Sequence, residues 1–209
     1  MRLDKLLVLK GYFSTRQKAK EAIRRGLVTV NGRVVKKPSL DVGLDVEIAV
    51  LEEEKPRGYW KLKELDEEWE IIREGDVVLD LGSSAGGFLL YASERAKRVY
   101  GIEFSREFEE ELRRVERSKE NVKVFIEDAF RFDLSNLEPL DVILSDLTLH
   151  PISALKATLR FLPLLKEGGR VLFVMKTGTF DERLEFPLRV LKVKDSKDRR
   201  ERYYLLGNS

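Results

Sequence analysis

After residue 75, the apolar residues of the chain follow two different patterns in turn. Short runs rich in Val, Ile and Leu predict buried strands at 76–81, 98–103, 122–126, 142–146 and 170–176. Between them, apolar residues recur every three or four positions, which predicts helices at 87–96, 106–117 and 152–165. A short helix near 181–185 and closing strands at 188–193 and 202–206 follow. This order predicts an α/β fold: a mostly parallel sheet with helices on both faces.

The first 50 residues show a different pattern, typical of a small α+β domain. A short amphipathic helix at 3–9 precedes a second helix at 15–25, for which Ser14 is the predicted N-cap. Asn31-Gly32 between two Val-rich runs predicts a hairpin. A charged segment that ends in Pro56 and Gly58 reads as a linker. We therefore predict domains at 1–50 and 59–209, joined by a linker at 51–58.

Composition excludes several classes of protein. There is no cysteine, so disulfides, thiolate metal sites and Cys nucleophiles are ruled out. No apolar run approaches the roughly 20 residues of a membrane span, and the N-terminus lacks the apolar core of a signal peptide. We expect a cytoplasmic protein with no metal and no membrane partner; its oligomeric state stays open.

Charge divides the chain in the same place as the hydrophobic pattern. Residues 1–50 carry 11 Lys and Arg against 5 Asp and Glu, whereas the remainder carries 28 against 32. A basic domain in front of a mildly acidic one indicates a polyanionic partner.

Small and acidic residues follow successive strands. The first strand runs into the loop 80–87, Asp-Leu-Gly-Ser-Ser-Ala-Gly-Gly, and the next three end near Glu103, Asp128 and Asp146. Each acid alone could simply form a turn, but ligands of such sheets bind beyond the carboxyl ends of the strands. The loop has neither the G-x-G-x-x-G of a dinucleotide site nor the G-K-[ST] of a P-loop. Glu103, 23 residues after Asp80, could accept hydrogen bonds from ribose hydroxyls.

With this constellation, residues 75–177 resemble a Rossmann-like S-adenosylmethionine methyltransferase. The resemblance implies that S-adenosyl-L-methionine is the cofactor. The cofactor-binding residues that it implies are Asp80, Gly82, Ser83, Ser84, Ala85, Gly86, Gly87, Phe88, Glu103, Asp128, Ala129 and Asp146.

Four residues, Asp146 among them, resemble the Lys-Asp-Lys-Glu tetrad of FtsJ-like ribose 2′-O-methyltransferases. They lie in Y-W-K-L (Lys61), L-S-D (Asp146), V-M-K-T-G (Lys176) and R-E-R-Y (Glu201). A 2′-hydroxyl is a poor nucleophile, so it needs a base or a cation that stabilises the alkoxide. We expect Lys176, its pKa lowered by a second lysine and by exclusion from water, to take the proton. Asp146 would orient Lys176, Lys61 would help depress its pKa, and Glu201 would position Lys61 or the ribose.

Residues 1–50 resemble an S4 RNA-binding domain. The resemblance lies in R-L-D at 2–4, S-T-R-Q-K-A at 14–19 and A-I-R-R-G-L-V-T-V-N-G at 22–32. The RNA-binding residues that we expect are Arg2, Arg16, Lys18, Lys20, Arg24, Arg25 and Arg33. An S4 domain before an FtsJ-like domain resembles the TlyA (hemolysin A-like) family of rRNA methyltransferases. That resemblance implies an rRNA substrate in a ribosomal subunit, with tRNA still open.

Alternatives remain at each step. Lys63 competes with Lys61 for the tetrad position, and Lys61 or Glu201 could be solvated charges. The absence of cysteine excludes covalent cytosine methylation, and no [DN]-P-P-[YFW] motif for adenine amino methylation follows the fourth strand. Another RNA base methyltransferase, or a non-catalytic RNA-binding protein with a vestigial methyltransferase domain, stays open.

Overall fold

The computed structural model describes residues 1–51, 55–177, 184–196 and 199–208. The chain divides into two compact units, Met1–Lys55 and Pro56–Ser209. The helix predicted near 181–185 falls largely on 181–183, outside the described residues, and 184–186 form neither helix nor strand.

The first unit consists of two helices and a small antiparallel sheet. Its elements are α1 (Leu3–Leu9), α2 (Arg16–Arg24), β1 (Val28–Val30), β2 (Arg33–Val35) and β3 (Ile48–Val50), with sheet order β2-β1-β3. Asn31 and Gly32 both have positive φ, as a tight hairpin turn requires. The N-cap of α2 is Thr15, whose hydroxyl accepts the Lys18 amide, and not the predicted Ser14.

The second unit contains a seven-stranded sheet. Its helices are α3 (Arg57–Trp69), α4 (Gly87–Ser93), α5 (Glu109–Ser118) and α6 (Pro151–Leu159). Its strands are β4 (Val77–Leu81), β5 (Arg98–Glu103), β6 (Val122–Ile126), β7 (Leu140–Ser145), β8 (Leu165–Lys176), β9 (Arg189–Asp195) and β10 (Glu201–Gly207). The order is β6-β5-β4-β7-β8-β10-β9. The first five of these strands are parallel, whereas β10 is antiparallel to both its neighbours.

Each face of this sheet is covered by helices. Neighbouring residues of β4 point to opposite sides, so Val78 lies in one hydrophobic core and Leu79 in the other. Helices α3, α4 and α5 pack in the first core, and α6 packs in the second. The predicted α/β sheet with helices on both faces is thus confirmed.

Two predicted boundaries differ from those in the structure beside a proline. Helix α3 begins at Arg57, inside the segment predicted as a linker, because Pro56 serves as its N-cap and does not break it. The helix predicted at 152–165 ends at Leu159, and a short 3-10 turn containing Pro163 leads into β8. Proline in a helix interior removes a backbone hydrogen bond and clashes with the preceding turn.

Neither a membrane span nor a metal cluster is found in the described part of the chain. None of its helices is long and apolar enough to cross a bilayer. No group of three or more His, Cys, Asp or Glu side chains is placed to hold a metal ion.

Candidate active site

The four residues of the predicted tetrad lie side by side. Lys61 comes from α3, Asp146 directly follows β7, and Lys176 ends β8. Glu201 begins β10 and is the cross-strand partner of Lys176. Because β10 runs antiparallel to β8, its first residue lies at the end of the sheet where β7 and β8 have their carboxyl ends.

Two ammonium groups and two carboxylates alternate around a closed ring, here called the charge ring, which consists of Lys61, Asp146, Lys176 and Glu201. Lys61 Nζ is 2.5 Å from Asp146 Oδ2 and 3.2 Å from each Glu201 oxygen. Lys176 Nζ is 2.7 Å from Asp146 Oδ1 and 2.6 Å from Glu201 Oε1. Each carboxylate therefore accepts from both lysines, and the four charges balance.

Exposure differs among the four side chains in a way that matters for chemistry. The Lys61 and Glu201 side chains are 9% and 7% exposed, and Asp146 is 17% exposed. Lys176 is 33% exposed, the most accessible of the set. A molecule that approaches this end of the sheet would therefore meet the Lys176 ammonium first.

The ring changes the proton affinity of Lys176 in the direction opposite to the sequence-based expectation. Burial alone would lower the pKa of Lys176, but Asp146 and Glu201 outweigh it, so the pKa is raised. Burial likewise opposes ionisation of Asp146, yet attraction to Lys61 and Lys176 and their hydrogen bonds lower its pKa. The predicted lowering of the Lys176 pKa by a second lysine is wrong, because two carboxylates lie between the lysines.

The loop after β4 has the conformation of a tight cradle. Gly82, Ser84 and Gly86 all have positive φ. The Gly82 amide donates to the Ile102 carbonyl, and the Gly86 amide donates to the Ser83 carbonyl. Ala85 is half-buried and Ser84 is exposed, so the loop crest is accessible.

Asp80 lies beneath this loop with no exposed surface. Among the described residues, neither of its carboxylate oxygens has a hydrogen-bond partner. Burial raises the pKa of Asp80 to about 8. A buried carboxyl group without a partner destabilises a fold, so its presence here favours a functional reason.

The other predicted cofactor residues lie at the same end of the sheet but already accept hydrogen bonds within the protein. Glu103 accepts the Ser84 amide on one oxygen and the Ser105 amide on the other, each at 2.8 Å. Asp128 accepts the Phe130 amide at 2.9 Å. Ala129 is buried, and its carbonyl accepts from Arg160. Since each carboxylate oxygen has a second lone pair, both acids can still accept from a ligand.

Gly87 and Phe88 serve helix packing. A Cβ on Gly87 would lie 2.5 Å from the Tyr59 backbone nitrogen, so only glycine lets α4 approach α3 this closely. Phe88 is buried, and its ring lies 5.7 Å from Lys61 Nζ. The two residues thereby help to hold Lys61 in the ring.

Tyr203 is a site residue that the sequence analysis missed. Its hydroxyl donates to Glu201 Oε2 at 2.9 Å, and its ring is buried. Two residues after Glu201 on a strand, Tyr203 points to the same face. That spacing is the signal by which it could have been found.

The predicted RNA-binding residues of the first unit fall into two groups. Arg2 and Arg16 are ion-paired with the fully buried Asp4, at 3.0 and 2.8 Å. Burial opposes ionisation of Asp4, but the two arginines overcome it and lower its pKa to about 2. Lys18, Arg24, Arg25 and Arg33 are exposed, and Lys20 is half-buried.

Comparison with known proteins identifies both parts of the chain. Residues 1–48 match the S4 domain, and residues 55–184 match the FtsJ-like methyltransferase family. The Bacillus subtilis protein named "Putative rRNA methyltransferase YqxC" is 35% identical over 108 residues, which cover 49% of this chain and 38% of that protein. The chain thus spans less than half the length of this relative.

Solved structures share the fold. A hemolysin-named protein from Streptococcus thermophilus matches with a TM-score of 0.59 at 20% identity, over 100% of this chain and 88% of that one. Aeropyrum pernix fibrillarin, solved with S-adenosyl-L-methionine, matches with a TM-score of 0.55 at 24% identity, over 65% of this chain and 68% of that one. The order predicted from the TlyA resemblance, S4 and then FtsJ-like, is confirmed. The chain belongs to the FtsJ-like methyltransferase family and carries an S4 domain at its N-terminal end.

Proposed function

We propose that the protein is an S-adenosyl-L-methionine-dependent RNA ribose 2′-O-methyltransferase. The observation that carries this proposal is the closed ring of Lys61, Asp146, Lys176 and Glu201 at the carboxyl end of the sheet. A ring held by four charge-assisted interactions presents one accessible ammonium in a fixed position, which suits a neutral hydroxyl that must lose a proton.

The residues of the β4 loop fit the cofactor. S-adenosyl-L-methionine carries two positive groups, its sulfonium and its amino group, and the partnerless Asp80 carboxyl lies beneath the loop. The backbone of the loop Gly82–Gly86, whose crest at Ser84 and Ala85 is accessible, would hold the cofactor. Glu103 would hold its ribose and Asp128 its adenine amino group. Bound there, the cofactor would supply an electrophilic methyl group.

The raised pKa of Lys176 decides how that residue helps. Because Lys176 rests as an ammonium at neutral pH, it is a hydrogen-bond donor and a poor proton acceptor. In our proposal it donates to the 2′-oxygen and stabilises the negative charge that develops as the hydroxyl proton leaves to solvent. Asp146 and Glu201 hold Lys176, and Lys61 offsets one of their two negative charges. With Lys176 the ring is neutral overall, so the carboxylates do not repel the oxygen.

The first unit supports RNA as the substrate. It matches the S4 domain and carries an exposed basic helix, and YqxC is named as an rRNA enzyme. We propose that residues 1–50 bind RNA, that residues 59–209 transfer the methyl group, and that the target is rRNA within a ribosomal subunit.

Two measurements on the full chain test this function. Calorimetry with S-adenosyl-L-methionine is expected to show binding in the micromolar range; an absence of binding would mean a non-catalytic RNA-binding protein. Intact ribosomal subunits and naked rRNA are then incubated with radiolabelled cofactor, and the product is digested and mapped by mass spectrometry. We expect the label on a ribose. Label on a base would refute the role of the charge ring.

A further inference from the structure

A cluster of positively charged side chains lies near the opposite end of the sheet from the neutral charge ring. A cavity of about 320 Å³ is lined there by Arg73, Arg170, Arg189 and Lys192. Arg170 and Lys176 belong to the same strand, β8, six residues apart, so the two places are about 20 Å from each other. This cavity therefore belongs neither to the charge ring nor to the β4 loop.

Arg170 is the buried centre of the cluster. Its side chain is 8% exposed, and Nη2 donates to Asp76 Oδ2 at 2.6 Å. Among the described residues, its Nε and Nη1 groups have no acceptor. A guanidinium carries five donors in a fixed fork, so one carboxylate leaves Arg170 incompletely paired. Buried donors of this kind are costly unless they meet an acceptor.

The cavity has too few acids to supply that acceptor itself. Glu70 is the one carboxylate among the described residues that line it, against four cations. Asp76 is already shared between Arg170 and the Arg73 amide. Arg73, Arg189 and Lys192 are exposed at the cavity rim, where long side chains can turn toward an incoming anion.

Apart from its charged residues and Asn208, the cavity is lined by glycines and by the apolar side chains of Trp69, Leu191 and Leu205. A volume of about 320 Å³ lies at the lower end of the range for small-molecule sites, enough for a phosphate with a sugar and one base. A phosphate group offers more oxygens than one carboxylate does, so several guanidinium groups can bind it at the same time.

We propose that this cavity binds a phosphate group carried by a nucleotide-sized ligand, with Arg170 as the buried anchor and Arg73 and Arg189 at the rim. The phosphate could be the monoester of a free nucleotide or a phosphodiester of bound RNA. The site goes beyond the methyl transfer proposed above and does not depend on it.

Nuclear magnetic resonance of the full chain tests the proposal at Arg170 itself. The Nε–H resonance of Arg170 is followed while inorganic phosphate, uridine 5′-monophosphate or a uridylate hexamer without terminal phosphate is added; uridine is the control. We expect a downfield shift as the hydrogen bond forms. A response to inorganic phosphate and to uridine 5′-monophosphate identifies a free nucleotide as the ligand, and a response to the hexamer alone identifies RNA.

Matched charge variants complete the test. Arg73→Gln/Arg189→Gln changes only exposed residues and is expected to weaken binding of the responding probe at least tenfold. Arg114→Gln/Arg117→Gln removes the same charge from α5 and should leave it unchanged. Fluorescence of Trp69 in a Trp60→Phe background gives a second readout. The proposal fails if no probe moves the Arg170 resonance at tens of millimolar, or if both double variants bind equally.

Discussion

At the scale of single residues, the ring makes Lys176 the group that a substrate would touch. We expect Lys176→Ala to lower the methyl-transfer rate by a factor of about 10²–10⁴, because the charge on the 2′-oxygen loses its nearest cation. S-adenosyl-L-methionine affinity should stay within twofold by calorimetry. Lys63 lies on the same helix as Lys61 but outside the ring, with its ammonium 3.8 Å from Glu67. Lys63→Ala is therefore the matched control and should keep full activity. Joint loss of binding and transfer would show that Lys176 is structural.

The charge state of Lys176 can be measured directly. Its two carboxylate neighbours raise its pKa above the ordinary 10.5, and Glu201→Gln removes one of them. Titration of the Lys176 side-chain carbon signal by nuclear magnetic resonance should give a midpoint above 10.5 in the native protein. The midpoint should be lower in the variant than in the native protein. A native midpoint below 9 would restore the role of a general base, which the sequence had suggested.

The raised pKa of Asp80 predicts that the free energy of unfolding depends on pH. Between the ordinary value of 3.8 and about 8, the folded chain keeps a proton that the unfolded chain has lost. Stability therefore falls as pH rises through that window, while below it the two states bind the proton equally. Asp80→Asn removes this dependence.

Urea unfolding of both proteins at pH 5 and pH 8 measures the effect. We expect the native protein to lose a few kcal/mol more than Asp80→Asn between the two pH values. The variant should be the more stable of the two at pH 8, with weaker cofactor binding. Identical pH dependence in the two proteins would show that the Asp80 carboxyl is ionised and compensated in the fold.

The identity of the ring residues is largely predictable from sequence, whereas the protonation behaviour of Lys176 is not. Local motifs marked Lys61, Asp146, Lys176 and Glu201, and the structure brings all four together. The pKa of Lys176 depends on which charges lie between the lysines. That follows from the pairing of β10 with β8, which no local pattern specifies.

At the scale of elements, the approach of α4 to α3 sets the position of Lys61. Gly87→Ala would place a methyl group against the Tyr59 backbone, and backbone cannot move aside as a flexible side chain can. We expect a loss of 1–3 kcal/mol in the free energy of unfolding and a lower transfer rate, because Lys61 is displaced. Urea unfolding and a methylation assay check both.

A matched glycine shows whether that effect is local. At Gly43 an added Cβ would meet only Val46, at 3.8 Å, an ordinary contact. Gly43→Ala should therefore leave both the free energy of unfolding and the methyl-transfer rate nearly unchanged. If Gly87→Ala behaves like Gly43→Ala, the close approach of the two helices does not position the ring.

Helix α3 also shows where pattern reasoning stops. The charged residues before the helix, together with Pro56, predicted a linker, although proline is equally compatible with a helix start. The apolar residues Leu62, Leu65 and Trp69 follow the helical spacing, but the predicted domain boundary divided the segment. Strands with continuous apolar runs left less ambiguity, and β5 and β6 match their predicted bounds.

For the whole molecule, the proposed roles of the two units are separable by mutation. Arg2 and Arg16 are bound to buried Asp4, which keeps a carboxylate ionised inside the first unit. Arg2→Gln/Arg16→Gln should therefore destabilise this unit, by about 1 kcal/mol once solvent screening of the half-exposed arginines is allowed for. The contribution is present above the ordinary Asp pKa of 3.8 and is lost as pH falls through about 2.

Lys20 and Arg24 lie four residues apart on one face of α2 and should act on RNA instead. If each contacts one phosphate, Lys20→Gln/Arg24→Gln lowers the slope of log affinity against log salt by about 1.5 to 2. Filter binding of rRNA fragments between 50 and 300 mM salt measures that slope. Thermal stability and S-adenosyl-L-methionine affinity should match the native protein, since the second unit is unchanged. An unaltered salt slope would remove α2 from the RNA interface, leaving the hairpin residue Arg33 as the next position to test.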